Sequence, residues 1–285
     1  MVIHTLADAA QNRLEIEKKN IPLSAVRAEA EAIAAAEKRD RASMNLHTVQ
    51  TGQQGMAARA VKFPFEEALR SPGMSFICEV KQVEPMDGLI ARNVPHTEVA
   101  LEYEAAGADA IAVFTEPSQY LGSKENFAAI TKAVSVPVLQ MDLFIDEYMI
   151  YQAKNLGASA ILLIESLLSD EQIGEYIDLA DSLGLSTMVE GHNEWEIRRA
   201  ANSDADIIAV NNRDPQHGDT DVARSLDMRG LVPPGRLFVS MSGLDSAEDI
   251  AKLCKAGADA VLIGESLMTS SDKASKLAEL RSLCR

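Results

Sequence analysis

Ionisable residues recur along this sequence directly after short apolar runs, an arrangement typical of α/β enzyme sites. Glu79 and Lys81 end one such run, and Glu165 and Glu190 each follow another. A lysine shielded from water can pair with an anion or donate a proton, and a carboxylate can act as general acid or base. Glu165 and Glu190 could also share a proton. The candidate catalytic residues are therefore Glu79, Lys81, Glu165, Glu190 and, as a neutral donor and acceptor, Asn211. Asn212 is the alternative to Asn211, but strand residues alternate in direction, and we expect Asn211 to be the one that faces inwards.

Small residues follow two apolar runs near the end of the chain and form a second group of candidates. Ser242 and Gly243 close one run, and Gly264 and Glu265 close the other. Glycine allows backbone N–H groups to approach a phosphate closely, so the two turns together predict a phosphate site. Ordinary turn glycines are the alternative. Arg213, shortly after Asn211, adds a cation to this predicted binding region.

Internal repetition predicts how these residues are positioned. Four segments of one pattern recur at intervals of about 50 residues: AAGADAIAVFTE (105–116), NLGASAILLIE (155–165), NSDADIIAVNN (202–212) and KAGADAVLIGE (255–265). Four further apolar runs alternate with them: SFICEVK (75–81), VPVLQMDLF (136–144), LSTMVEGH (185–192) and RLFVSMSGL (236–244). Eight strands alternating with amphipathic segments predict an α/β fold, a (β/α)₈ TIM barrel with its site at the carboxyl ends of the strands. An open doubly wound sheet is the alternative, but no GxGxxG follows the first strand.

The first 74 residues precede the predicted barrel. LADAAQNRLEIEKKN (6–20) and SAVRAEAEAIAAAEKRDRA (24–42) are rich in Ala, Glu, Lys and Arg, which predicts helices. We therefore expect an N-terminal helical extension over 1–74 and a barrel over 75–285, which together form one structural domain. The extension either acts as a lid over one mouth of the barrel or simply packs against it.

Composition excludes several classes of function. The 285 residues carry a net charge of −16, which argues against binding to nucleic acid or to an anionic membrane surface. No apolar run is long enough to span a bilayer. Cys78, Cys254 and Cys284 have no CxxC spacing, which favours a reduced, cytoplasmic protein. We expect no metal and no cofactor, since the histidines lack ligand spacing. His192, two residues after Glu190, is either a second titrating group or a solvated loop residue, and we favour the solvated loop residue.

Several long motifs resemble the indole-3-glycerol-phosphate synthase family, and the resemblance covers nearly the whole chain. ICEVKQVEPMDGLI (77–90) is similar to the family's first-strand segment, E-x-K-x-x-S-P-S-x-G, and TEPSQYLGS (115–123) to its T-x-x-x-x-F-x-G-S loop. VEGHNEWEI, VNNRD, VSMSGL and VLIGESLM follow in family order. The resemblance implies a lyase of tryptophan biosynthesis. It closes the indole ring of 1-(2-carboxyphenylamino)-1-deoxyribulose 5-phosphate with loss of CO₂ and water, as a monomer or weak homodimer acting on a phosphorylated small molecule.

The resemblance also assigns roles to matching positions. Lys81 and Glu79 match the first-strand lysine and glutamate, Glu190 the catalytic glutamate, and Asn211 the sixth-strand asparagine. The family's seventh-strand serine and phosphate-cup positions correspond to four residues, Ser242, Gly243, Gly264 and Glu265.

Four positions depart from the family pattern. Met141 stands in place of the family's general-acid lysine, Met241 in place of a glutamate, and Glu84 in place of a loop serine. Glu165 stands where an apolar residue is usual. Losing the lysine changes the charge of the site by −1, losing the glutamate by +1, and gaining two glutamates by −2. The site is therefore two charges more negative than the family pattern. A diverged member that acts on another phosphorylated ligand, or a non-catalytic binding protein, is the alternative interpretation.

Overall fold

A computed structural model describes residues 2–50, 63–85 and 87–284, with side chains from residue 7 to 41 in the first of these segments. Ten strands are present in these ranges: β1 (Ser75–Val80), β2 (Val83–Glu84), β3 (Gly88–Leu89), β4 (Ala110–Phe114), β5 (Val138–Met141), β6 (Ala160–Ile164), β7 (Ser186–Gly191), β8 (Ile207–Asn211), β9 (Leu237–Met241) and β10 (Ala260–Ile263).

The described parts of the chain also form twelve α-helices: α1 (Val2–Asn20), α2 (Leu23–Gln50), α3 (Pro64–Leu69), α4 (His96–Ala105), α5 (Lys124–Ala133), α6 (Glu147–Asn155), α7 (Asp170–Ser182), α8 (Glu194–Asn202), α9 (Ala223–Met228), α10 (Ala247–Ala256), α11 (Glu265–Met268) and α12 (Lys273–Arg281). Two 3₁₀ turns, Glu165–Leu167 and Arg229–Leu231, follow β6 and α9. No helix within the described residues is both long and apolar enough to cross a membrane.

Eight parallel strands form a closed barrel, which confirms the predicted fold class. Going round the barrel, β1 is followed by β10, β9, β8, β7, β6, β5 and β4, and β4 pairs with β1 again. The short strands β2 and β3 form a separate antiparallel hairpin that pairs Glu84 with Gly88. Since all eight strands run in the same direction, their carboxyl ends meet at one mouth of the barrel.

Two apolar layers support this mouth. Alternate strand residues such as Ile77, Leu139, Met188 and Val239 pack inside the barrel. Their neighbours along the strands pack outwards against the helices, and both sets are buried, which explains the nearly continuous apolar strands. The backbone of the strand ends is therefore held rigidly, and the side chains that follow them are placed accurately.

The N-terminal helices pack against one side of the barrel. Arg13 of α1 binds Asp142 at the end of β5 (2.7 Å), and Lys18 binds Asp146 (2.6 Å). Ala10 packs in an apolar cluster with Leu143. Helix α1 therefore lies at the carboxyl end of the strands, whereas α2 packs along α6. Residues 51–62 of the predicted extension lie outside the described residues.

Candidate active site

A cavity of about 580 Å³ opens at the carboxyl ends of the barrel strands. Its volume falls in the range of small-molecule sites. All but one of the candidate residues from the sequence line its wall: Glu79, Lys81, Glu84, Met141, Glu190, Asn211, Arg213, Met241, Ser242, Gly243, Gly264 and Glu265. The exception is Glu165.

Lys81 lies between two carboxylates on the cavity wall. Its Nζ is 3.1 Å from Glu79 Oε2 and 3.1 Å from Glu84 Oε2, and all three side chains are nearly buried. Burial opposes the charge of Lys81, but the paired carboxylates outweigh it and raise the pKa of Lys81. Burial raises the pKa of Glu79. Lys81 is therefore held protonated, with the third N–H of its ammonium group available to a ligand.

Glu190 is held by two donors at the end of β7. Asn211 donates to Glu190 Oε1 from Nδ2 (2.9 Å), and His192 Nε2 is 3.1 Å from the same oxygen. The other ring nitrogen of His192 is 3.2 Å from Glu196 Oε2, on α8. Burial opposes protonation of the ring, but the hydrogen bonds to both carboxylates outweigh it and raise the pKa of His192 to about 10. An imidazolium therefore fixes the Glu190 carboxylate.

The expectation that His192 is a solvated loop residue is wrong. The side chain is nearly buried and lines the cavity, because Glu196 and Glu190 accept from its two ring nitrogens. The spacing from Glu190 supports the alternative interpretation of His192 as a second titrating group. His192 follows Glu190 by two residues, and such residues share a face of an extended strand.

The structure also corrects the expected position of Glu165. This residue begins the 3₁₀ turn after β6 and is fully buried, but Ile164, not Glu165, faces the cavity. Its carboxylate contacts the Arg199 guanidinium of α8. Burial raises the pKa of Glu165 to about 7, against the effect of Arg199. Glu165 is therefore placed to join α8 to the barrel rather than to share a proton with Glu190.

The turn after β9 combines two unusual backbone conformations. Ser242 and Gly243 both have a φ of +70°, in the left-handed region. A Cβ on Gly243 would lie 2.6 Å from the side chain of Thr220, so this position requires glycine. Asn212, buried behind the wall, donates to the carbonyl of Ser242 (3.0 Å) and thereby holds the turn. Sequence reasoning placed Asn212 second to Asn211 and missed this supporting role.

The turn after β10 is equally crowded on the side of Lys81. A Cβ on Gly264 would lie 2.0 Å from Glu79 Oε2 and 3.0 Å from Lys81 Cε. The absence of a side chain at Gly264 therefore allows the Glu79–Lys81 pair to reach the mouth of the barrel. The glycine turns after β9 and β10 border one side of the cavity, as a phosphate site requires.

Apolar side chains also line the wall. Phe114 and Tyr120 stack with their ring centroids 3.8 Å apart, and Met141 and Met241 lie in the barrel core beneath the cavity. Burial raises the pKa of the Tyr120 hydroxyl, so the hydroxyl stays neutral. The cavity thus offers an apolar surface for a flat ring, together with the ammonium group of Lys81 and the carboxylate of Glu190.

One cluster has the composition of a metal site. Ligand atoms of Asp214, His217 and Asp219, in the loop after β8, lie within 4.8 Å of one another. Asp214 already accepts hydrogen bonds from the backbone of Gln216 and His217 and from Arg224 (3.0 Å). These bonds account for the cluster as an ordinary loop structure.

Comparisons with known proteins agree with one another. The family model described as indole-3-glycerol phosphate synthase matches residues 24–280. The indole-3-glycerol phosphate synthase of Ruminiclostridium cellulolyticum is 40% identical over 281 residues, covering 99% of both chains. That of Lachnoclostridium phytofermentans is 37% identical over 283 residues, covering 99% of this chain and all of the relative. A thiamine phosphate pyrophosphorylase from Pyrococcus furiosus has a TM-score of 0.55 at 15% identity over 74% of this chain and 94% of its own, which shows the fold alone.

Proposed function

The chain belongs to the indole-3-glycerol phosphate synthase family, and we propose that it closes the indole ring of 1-(2-carboxyphenylamino)-1-deoxyribulose 5-phosphate with loss of CO₂ and water. The family consists of carboxy-lyases of tryptophan biosynthesis that act on a phosphorylated small molecule. The observation that carries the proposal is the arrangement of Lys81 and Glu190 in one cavity, beside the glycine turns after β9 and β10.

Lys81 is the proposed acid for ring closure. The ring carbon that carries the carboxylate attacks the ketone carbon, and the ketone oxygen must gain a proton as the new bond forms. Met141 has no proton to give, whereas Lys81 is protonated and has one N–H beyond those directed at Glu79 and Glu84. Loss of CO₂ then restores the aromatic ring.

Glu190 is the proposed base of the second half of the reaction. The hydroxyl formed from the ketone takes a second proton from Lys81, which is reprotonated by solvent after ring closure, and leaves as water. The new five-membered ring then loses a C–H proton to complete the indole. Asn211 and His192 hold the Glu190 carboxylate in one orientation, in which it can accept that proton. Ser242, Gly243, Gly264 and Glu265 form the proposed phosphate side of the site, with Arg213 at its edge.

Three finer features complete the proposal. We infer that α1 acts as a lid, supported by the Arg13–Asp142 contact at the mouth of the barrel. We also infer a cytoplasmic enzyme that works as a monomer or weak homodimer. A biosynthetic family and three cysteines that form no disulfide support the cytoplasmic assignment.

A fluorescence assay for indole-glycerol phosphate tests the function. We expect turnover by the unaltered protein, and a loss of about 10²–10⁴ in kcat for Glu190→Gln and for Lys81→Met. Glu165→Gln is the control, because this carboxylate lies outside the cavity wall, and it should retain turnover within about threefold. If the unaltered protein is inactive while Met141→Lys is active, Lys81 is not a sufficient acid and the proposal is wrong.

A further inference from the structure

Glu84 pairs with Lys81 and Arg213, two cations of the cavity that an anionic substrate would also bind. We propose that Glu84 is a built-in competitor of the substrate: its carboxylate neutralises Lys81 and Arg213 and thereby sets how tightly the enzyme binds its anionic ligand. This inference rests on the proposed function, since it concerns the substrate of that site.

Glu84 bridges the two cations from a nearly buried position. Its Oε2 is 3.1 Å from Lys81 Nζ, and its Oε1 is 3.9 Å from Arg213 Nε. The Glu84 side chain is 9% exposed, so solvent and salt screen these interactions only weakly. Both cations are thus engaged by a carboxylate of the chain itself.

The remaining basic groups of the cavity are engaged as well. The described residues that line the cavity include four basic side chains: Lys81, His192, Arg213 and Lys276. The ring nitrogens of His192 face Glu190 and Glu196, and Lys276 donates to the carbonyl of Asp245 and pairs with Glu279. The proposed substrate carries both a phosphate and a carboxylate. It must therefore compete with a protein carboxylate for any of these cations, and placing like charges together costs binding energy.

Glu84 is the competitor whose position can change most easily. The backbone of Glu79 is fixed by the barrel ladder of β1, whereas the backbone of Glu84 belongs to the two-residue strand β2 of a separate hairpin. The other carboxylates on Arg213, those of Asp87 and Glu265, are half exposed and therefore screened by solvent. The charges that face the Lys81–Glu84 pair from neighbouring elements are Glu79, Glu190 and Arg213.

The test is the affinity for the reduced substrate, in which the ketone is an alcohol and no ring can form. Calorimetry should give a Kd about tenfold lower for Glu84→Gln than for the unaltered protein. A tenfold change in Kd corresponds to about 1.36 kcal/mol, the free energy of a shift of one pKa unit. KM for the true substrate should fall while kcat does not rise. Asp87→Asn is the matched control: it removes a half-exposed partner of Arg213 and should change Kd by less than about threefold.

Each result decides one of the two proposals. Equal or weaker binding by Glu84→Gln, with a normal thermal transition, overturns the role of Glu84. If Glu84→Gln fails to fold, the smaller Glu84→Ser variant takes its place with the same expected gain in affinity. The reduced substrate binds without reacting, so its Kd can be measured whether or not the protein is active. Absence of turnover in the unaltered protein would overturn the proposed function alone. The ratio of the Kd values of the unaltered protein and Glu84→Gln would still decide the role of Glu84.

Discussion

Replacing His192 by glutamine should remove a pH-dependent part of the stability of this protein. In the folded chain the ring lies between Glu190 and Glu196 and its pKa is raised to about 10, against 6.5 for an ordinary histidine. The folded state therefore binds this proton more tightly than the unfolded chain does. The resulting stabilisation is fully present below pH 6.5 and is lost as the pH rises to about 10.

The size of the effect follows from the two pKa values. One pH unit corresponds to about 1.36 kcal/mol, so the charged ring contributes at most about 5 kcal/mol, of which about 3 kcal/mol disappears between pH 6.5 and pH 9. The assay is urea unfolding of the unaltered protein and of His192→Gln at several pH values in this range. Other titrating groups largely cancel in the difference between the two proteins.

The free energy of unfolding of the unaltered protein should therefore exceed that of His192→Gln by an amount that decreases steadily as the pH rises. His217→Gln is the control, because that ring is 74% exposed beside Asp214. The free energy of unfolding of His217→Gln should differ little from that of the unaltered protein at every pH. Two parallel curves for His192→Gln and the unaltered protein would refute the reasoning, since they would mean that the ring is neutral in the folded state.

Two further predictions concern the surroundings of the site. Gly264→Ala should lower kcat/KM by about 100-fold or more with little change in Tm, because the new methyl group displaces the flexible end of Glu79 and, with it, Lys81. Steady-state kinetics and a thermal melt measure the two effects. A stable variant of full activity would contradict the prediction. Arg13→Met should speed limited proteolysis within α1, because it removes the contact with the buried carboxylate of Asp142, worth about 1–3 kcal/mol. Unchanged cleavage rates would show that α1 is held by its apolar contacts alone.

The barrel and most of the cavity wall could be predicted because both depend on local patterns. The repeats define the strands, and residues at strand ends in a closed barrel converge at one mouth. Alternation along β8 placed Asn211 in the wall and Asn212 behind it. Where the sequence failed, the deciding contact came from another element. Glu165 lies in a 3₁₀ turn and contacts Arg199 of α8, and His192 is drawn inwards by Glu196 of the same helix.

The departures from the family pattern behave differently from one another in three dimensions. Met141 and Met241 join the barrel core and leave an apolar floor. Glu84 acts instead through Lys81 and Arg213, from a hairpin whose position no periodicity in the sequence predicts. The number of charges at the site could be counted from the sequence, but which of them are paired required the structure.

The docking of α1 also affects when the protein can mature during its synthesis. Arg13 and Lys18 bind Asp142 and Asp146, which follow them by 129 and 128 residues. At the usual rates of elongation, about 5–20 residues per second, the ribosome needs on the order of 10 s to produce the partners of α1. Closure of the barrel takes longer still, because β1 must wait for β10. Helix α1 therefore spends this interval with Ala10 and Leu14 uncovered, a period in which chaperones can bind it.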